Sequence, residues 1–420
     1  MLILLAAGAA MAGKADEWQG DWGATQGLLH IAGTLVAAPL AGAAGALIGG
    51  REHRQHTGEL LRTTTRPPLA RVLVAALPTA VWAALGQLAV VAGALLASWP
   101  YASGGRPVVS TLLVPAVLVL STALLGYVTG AVVRVRLAPP LFGVAVYAGL
   151  GIPGYSDRTA AYLSPASWES VVDGGVPVWW QPLVAVAWAG GSAVAAVLVL
   201  AARRRWTALV PLTAAAVAGV LIVQTDERMW RDDPLVFRPV CDTSAWPELC
   251  VPARYPGMLP DIRRALEPVT DRLAGVEHLP VRLTAVPGDL APGEERLPAL
   301  TPLGQSMVRG RLTDPEFYAW GTAASLVHAR EGCTALDEDQ RYQDLSLVLR
   351  EWLGAAPGRT GEEIWDTYHH PDTAAEQART RTFLRRFDRL ETMEREERRR
   401  WLSAYFGALA RCAPDRMPAL

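Results

Sequence analysis

The chain has 420 residues, a formal net charge of −1 and 51% hydrophobic residues. Near-neutrality gives no sign of nucleic-acid binding, and the length leaves room for two or three domains. The average conceals two unlike parts: up to Thr225 there are 13 basic and 8 acidic residues among long uncharged runs, whereas the remainder holds 26 basic and 32 acidic residues. Met1–Gly13 is apolar but too short to cross a bilayer at about 1.5 Å per residue. Lacking a charged leader, it is read as the end of a span whose start was lost to a late initiation codon, with a signal-peptide core as the other reading. Uncharged runs then follow at 25–50, 72–98, 109–133, 179–202 and 207–223, each long enough to span, with a shorter run at 137–152. Backbone groups in lipid must be satisfied internally, so these runs predict about six to seven helical spans.

Charge orients them. The loops 51–71, 134–136 and 203–205 hold ten arginines, whereas the alternate loops 14–24, 99–108 and 153–178 hold Lys14, Arg106 and Arg158. Basic residues concentrate on the cytoplasmic side, so 51–71 is expected inside and 224–420 outside, in a multi-pass protein of the cell membrane. Trp18, Trp22, Trp179 and Trp180 sit at the arginine-poor ends and read as interface anchors. All four cysteines, Cys241, Cys250, Cys333 and Cys412, fall in the outer part. An even number in an oxidising compartment predicts two disulfides. Three pairings are possible; the local one joins Cys241 to Cys250 and leaves Cys333 with Cys412.

The expected division is therefore a transmembrane domain, 1–223, and a disulfide-bonded extracytoplasmic domain, 224–420. In the latter, PLVFRPVC and ELCVPARY predict two short strands around a turn, and 279–288 a third. Ile262, Leu266, Val269 and Leu273 have helical spacing. Thr313-Asp314-Pro315-Glu316 is a helix start. Phe383, Phe387, Leu390, Trp401 and Tyr405 predict one face of a single long C-terminal helix, with ETMEREERRRW on its solvated side. The outer domain is expected to be small, α+β and mostly helical.

Catalytic chemistry is sparse. A phosphate loop ends in Gly-Lys-Ser/Thr, but the only lysine is Lys14, followed by Ala15. Any ATP must therefore be hydrolysed by another polypeptide. His30 is the only ionisable side chain deep in a span and reads as a packed residue, which argues against ion-driven transport. The outer histidines, His278, His328, His369 and His370, form no His-Glu-x-x-His pattern. Adjacent His369 and His370, near Glu363 and Asp372, diverge by about 100° on a helix and suit a surface turn ended by Pro371 better than a metal site. No Gly-x-Ser-x-Gly elbow is present, so neither an enzyme nor a resident metal is expected.

The segment REHRQHTGELLRTTTRPPLAR, residues 51–71, resembles the cytoplasmic segment after the second span in the type-2 family of ABC-transporter permeases. The matching features are Glu52-His53-Arg54, Gly58-Glu59-Leu60-Leu61, Thr64-Thr65-Arg66-Pro67 and Arg71, in that order. Leu60 follows Glu59 directly, and Arg66 interrupts the Thr-Pro pair, both departures from the commonest pattern. The later run LLGYVTGAVVRVRLAPPLFGVAVY is similar to the family as well. The resemblance covers roughly residues 1–223. It implies a membrane subunit paired with a second permease subunit and with cytoplasmic ATP-binding subunits that hold the ATP and Mg, leaving no cofactor in this chain. It also implies that Glu52, Arg54, Gly58, Glu59, Leu60 and Leu61 couple the spans to the ATPase, with Leu60 and Leu61 in a groove and the charges setting register. The outer domain is similar to uncharacterised domains appended to some such permeases, a resemblance that implies no activity for it. A membrane-anchored sensor or assembly protein with an external ligand- or protein-binding domain and no transport activity is the alternative.

Overall fold

The computed structural model describes residues 2–55, 67–155, 158–168, 175–300, 306–329, 333–356, 358–368 and 374–420. The chain is a helical, membrane-inserted protein that divides into two compact units, Met1–Asp233 and Pro234–Leu420.

The first unit opens with α1 (Leu2–Ala12), 11 residues. The long helix α2 (Trp22–Gln55) follows, then α3 (Pro68–Ser98), α4 (Val109–Val132), the shorter α5 (Ala138–Gly151), α6 (Gln181–Ala201) and α7 (Leu209–Thr225). Among the described residues five segments have the length and apolarity to cross a bilayer: α2, α3, α4, α6 and Arg205–Met229, which contains α7. At 14 residues α5 is about 21 Å long, shorter than the hydrocarbon core.

Helix α2 is not uniform. Its turns over Ala32–Ala37 are π-helical, immediately before Pro39. Proline has no N–H to bond the carbonyl four residues back, and its ring crowds that carbonyl; widening the preceding turns relieves the clash. Beyond it, α2 packs on α4 with almost no side chain between them. A Cβ on Gly45 would lie 2.0 Å from the Ala123 carbonyl oxygen, and one on Gly126 2.0 Å from that of Gly42. Gly49 and Gly130 continue the contact. In lipid no hydrophobic force drives helices together, so close backbone approach at small residues supplies the packing instead. At the other end of α2, Asp21 caps the helix by accepting from the Ala24 N–H at 2.9 Å. The Thr25 hydroxyl bonds that of Ser98 at 2.7 Å, and Gln26 Oε1 accepts from the Val108 N–H at 2.8 Å. These bonds fix α2 to the end of α3 and the start of α4.

The first unit runs on past α7. A two-residue strand β1 (Val176–Pro177) pairs antiparallel with β2 (Trp230–Arg231), and Met229, Trp230 and Trp168 share a small core with Val114, Ala185 and Ile222.

The second unit has an α+β arrangement. Its sheet has the order β3 (Pro239–Asp242), β4 (Glu248–Pro252), β5 (Arg282–Thr284) and β6 (Glu294–Arg296). The β3–β4 pair is antiparallel and the other two pairs are parallel. The segment Pro234–Phe237 before β3 is a helical turn, so the first expected strand is confined to its last residues. A short hairpin, β7 (Met307–Val308) and β8 (Arg311–Leu312), precedes the helices. These are α8 (Leu259–Arg272), which precedes β5 in the chain, α9 (Pro315–Val327), α10 (Gln340–Gly354), α11 (Gly361–Tyr368), α12 (Ala374–Thr392) and α13 (Arg395–Ala410).

Ile262, Leu266, Val269 and Leu273 are buried, as their spacing predicts, and Asp314 caps α9 by accepting from the Phe317 N–H at 2.9 Å. The expected single C-terminal helix is two. Glu394 is extended, which turns Met393 into the core, and Arg398 donates to the Leu390 carbonyl left open at the end of α12 at 3.0 Å.

The core of this unit is built from large side chains: Trp352, Tyr342, Tyr405, Phe387 and several leucines are almost fully buried. The guanidinium groups of Arg272 and Arg398 lie over the Trp352 ring, at 5.5 and 5.4 Å from its centre. Burial holds the Arg272 guanidinium below its ordinary pKa, and its Nη1 donates to the carbonyls of Leu353 and Ala355.

Candidate functional site

The candidate site starts at the arginine-rich end of the spans. Residues Arg51–Gln55 carry α2 beyond its glycine-packed section. His53 Nε2 lies 2.7 Å from the Ala131 carbonyl oxygen, which makes it the protonated nitrogen and ties the segment to the end of α4. Arg54 folds back over Gly50 and donates to the Leu47 carbonyl. His53 thus satisfies a carbonyl that the end of α4 leaves open, and Arg54 places positive charge beside the last turn of the glycine-packed section of α2. Of the residues expected to couple to an ATPase, Arg54 belongs to this root, and Glu52 lies on the same turn. Gly58, Glu59, Leu60 and Leu61 lie outside the described residues, as do Arg62 and Arg66. The root is bound to α4, and through the glycine contact α2 and α4 are packed backbone to backbone. A displacement of the root would therefore be transmitted to two spans together, because such packing deforms little.

Lys14 makes an ion pair with Glu17 at 2.7 Å. His30 is buried, with its ring 5.2 Å from that of Trp168, in agreement with a packed residue. The tryptophan expectation needs correction. Trp18 and Trp22 are buried within the first unit: the Trp18 indole N–H donates to the Met11 carbonyl at 2.8 Å, and Trp22 meets Trp99 edge-on at 6.2 Å. Their aromatic faces are used by the protein. Trp179, 81% exposed, keeps the character of an interface anchor.

In the second unit Cys241 is bonded to Cys250 and Cys333 to Cys412. The first pair joins residues directly opposite on β3 and β4. Beside it, the Ser244 hydroxyl and backbone N–H, then Arg263, hold the Asp242 carboxyl down at about 2. On the next strands Arg282 lies between Glu248 and Glu294, at 2.9 and 2.7 Å, the three residues being in register across β4, β5 and β6. The hydroxyls of Tyr342 and Tyr405 both lie 3.2 Å from the Val327 carbonyl oxygen at the end of α9, and burial raises both phenols.

No group of three metal-ligating side chains occurs among the described residues. His278 and His328 are exposed and apart in the chain, while His369, His370 and Asp372 lie outside the described residues. Glu363 caps α11: its carboxylate accepts from the Thr360 N–H at 3.0 Å, while its own N–H donates to the Thr360 hydroxyl at 3.3 Å. No family model, curated protein or solved structure matches the chain. Its function is therefore argued from its own residues.

Sequence reasoning missed the carbonyl-binding role of His53 and Arg54. Their type was visible, but the partners of His53 on α4 come from about eighty residues downstream, and nothing local signals them. The glycines of α2 and α4 were legible as small residues in spans; that they face each other was not.

Proposed function

We propose that this chain is the membrane-spanning subunit of an ABC transporter, moving a substrate with ATP hydrolysed by a separate cytoplasmic subunit. The observation that carries the reading is the arginine-rich segment after α2, whose order of residues resembles the coupling segment of type-2 permeases and whose root grips α4 through His53. The lone Lys14, lacking a following Ser or Thr, supports an external source of ATP hydrolysis. In this reading the arginine-rich ends face the cytoplasm, the span count reaches six to seven with α5 and α1 included, and Pro234–Leu420 lies outside the cell membrane.

Two copies, or this chain and a second permease, would face each other. Closure of the ATPases on ATP would act on the segment that carries Glu59, Leu60 and Leu61 and bias the spans between two access states. The outer unit would capture, gate or release the substrate.

Affinity purification of the tagged full chain from its native membrane tests the reading. A stoichiometric partner carrying Gly-Lys-Ser/Thr is expected. Stable purification without any such ATPase, with transport unaffected by deletion of the gene, would favour a sensor or assembly protein.

A further inference from the structure

At the arginine-rich end of α2, α4 and α5 lies a pocket of about 30 Å³, lined by His53, Arg54, Arg134 and Arg136 together with small and apolar residues. Among the described residues no carboxylate lines it. Two of these side chains are already engaged, His53 with the Ala131 carbonyl and Arg54 with that of Leu47. Arg134 and Arg136 are exposed and have no hydrogen bond or ion pair among the described residues. The volume suits one or two oxygens of an anion and not a whole headgroup. Helix α5 begins at the same place, and the positive end of its dipole adds to the field.

A second observation distinguishes the kind of anion. Residues 133–137, Val-Arg-Val-Arg-Leu, alternate apolar and cationic side chains, yet Val133, Val135 and Leu137 are 41%, 57% and 62% exposed. A water-soluble anion would satisfy the guanidinium groups and leave these side chains in water. A phospholipid supplies both partners in one molecule, phosphate to the arginines and, just deeper, acyl chain to the valines.

We propose that this pocket binds the phosphate of an anionic phospholipid, held by Arg134 and Arg136, with Val133 and Val135 against its acyl chains. The assignment rests on membrane insertion and is independent of the transport reading. The lipid would hold the end of α4 and the start of α5 at the headgroup level, beside the α2 root.

The full chain, purified in neutral detergent, is titrated with dioleoylphosphatidylglycerol or dioleoylphosphatidylcholine, and bound lipid is counted by native mass spectrometry. One phosphatidylglycerol is expected to bind in preference to phosphatidylcholine. R134Q/R136Q should weaken that binding about 25-fold, from roughly a factor of five per arginine, while R134K/R136K keeps most of it. R203Q/R204Q, in another arginine-rich loop, should leave it unchanged. Equal weakening by both glutamine doubles would mean diffuse charge and overturn the assignment. So would unchanged binding in R134Q/R136Q, or full displacement of the lipid by excess inorganic phosphate. Loss of a co-purifying ATPase from R134Q/R136Q with lipid binding intact would reassign the arginines to a protein partner. Should the glutamine double not fold, R134K/R136K and the single R136Q carry the same comparison.

Discussion

The two units reach close packing by opposite means. Between α2 and α4 the buried surface is mainly glycine, alanine and backbone, whereas the second unit buries Trp352, Tyr342, Tyr405 and Phe387 and adds two disulfides. Solvent explains the difference. Large apolar side chains gain from leaving water, so they belong in the core of the second unit. In lipid that gain vanishes, and leucines and valines can stay on the outside, as Leu183, Val194, Val210 and Val217 do on α6 and α7. The contrast predicts that the units respond to different insults.

The largest expected effect is on the long disulfide. Cys333 and Cys412 are 79 residues apart, and in the chain-entropy view replacing both with serine should cost the second unit about 4.5 kcal/mol. Hydrogen exchange of α9, α10 and α13 should rise accordingly, while exchange of α2 and α4 stays the same; equal acceleration in both units would break the comparison. Next, Trp352→Ala should cost about 4 kcal/mol by leaving a cavity beside Arg272 and Arg398, read as a lower denaturant midpoint of the second unit. An aromatic truncation at exposed Trp82 in α3 should cost far less. In the first unit the sensitive change is the opposite one. Gly126→Ala places a methyl against the Gly42 carbonyl and should cost about 2 kcal/mol by forcing α2 and α4 apart, seen as a lower melting temperature in detergent. Nothing comparable should follow from Gly93→Ala, where a Cβ meets no atom.

The smallest effect depends on pH. The Asp242 carboxyl is held at about 2, below its ordinary 3.8, so its contribution is complete above the unfolded value and disappears as pH falls from about 4 towards 2. A midpoint measured across that window should fall in the native chain and vary less in Asp242→Asn. An identical pH profile in the variant would remove the carboxyl from the account.

Patterns of apolarity and charge made the long helices legible, because a span needs about 20 residues and arginines mark its ends. The spacing of Ile262, Leu266, Val269 and Leu273 and the Asp314 cap are local codes and read directly. Trp18 and Trp22 were misread because an indole at a span end looks the same whether it faces protein or lipid. The break at Met393–Glu394 was missed because helical spacing continues across it; only the core that receives Met393 reveals the turn. The parallel pairing of β4, β5 and β6 depends on contacts remote in sequence. At the candidate site, the types and order of residues 51–71 were legible, while the grip of His53 on α4 was not.

The central claim is that the α2 root transmits the action of a separate ATPase. Its most direct test measures the ATPase retained on membranes by Glu59→Ala/Leu61→Ala relative to the native chain, with both inserted to the same level. If these two side chains contact the ATPase as proposed, their loss should reduce retention by at least about tenfold. Full retention by the double variant would contradict the account.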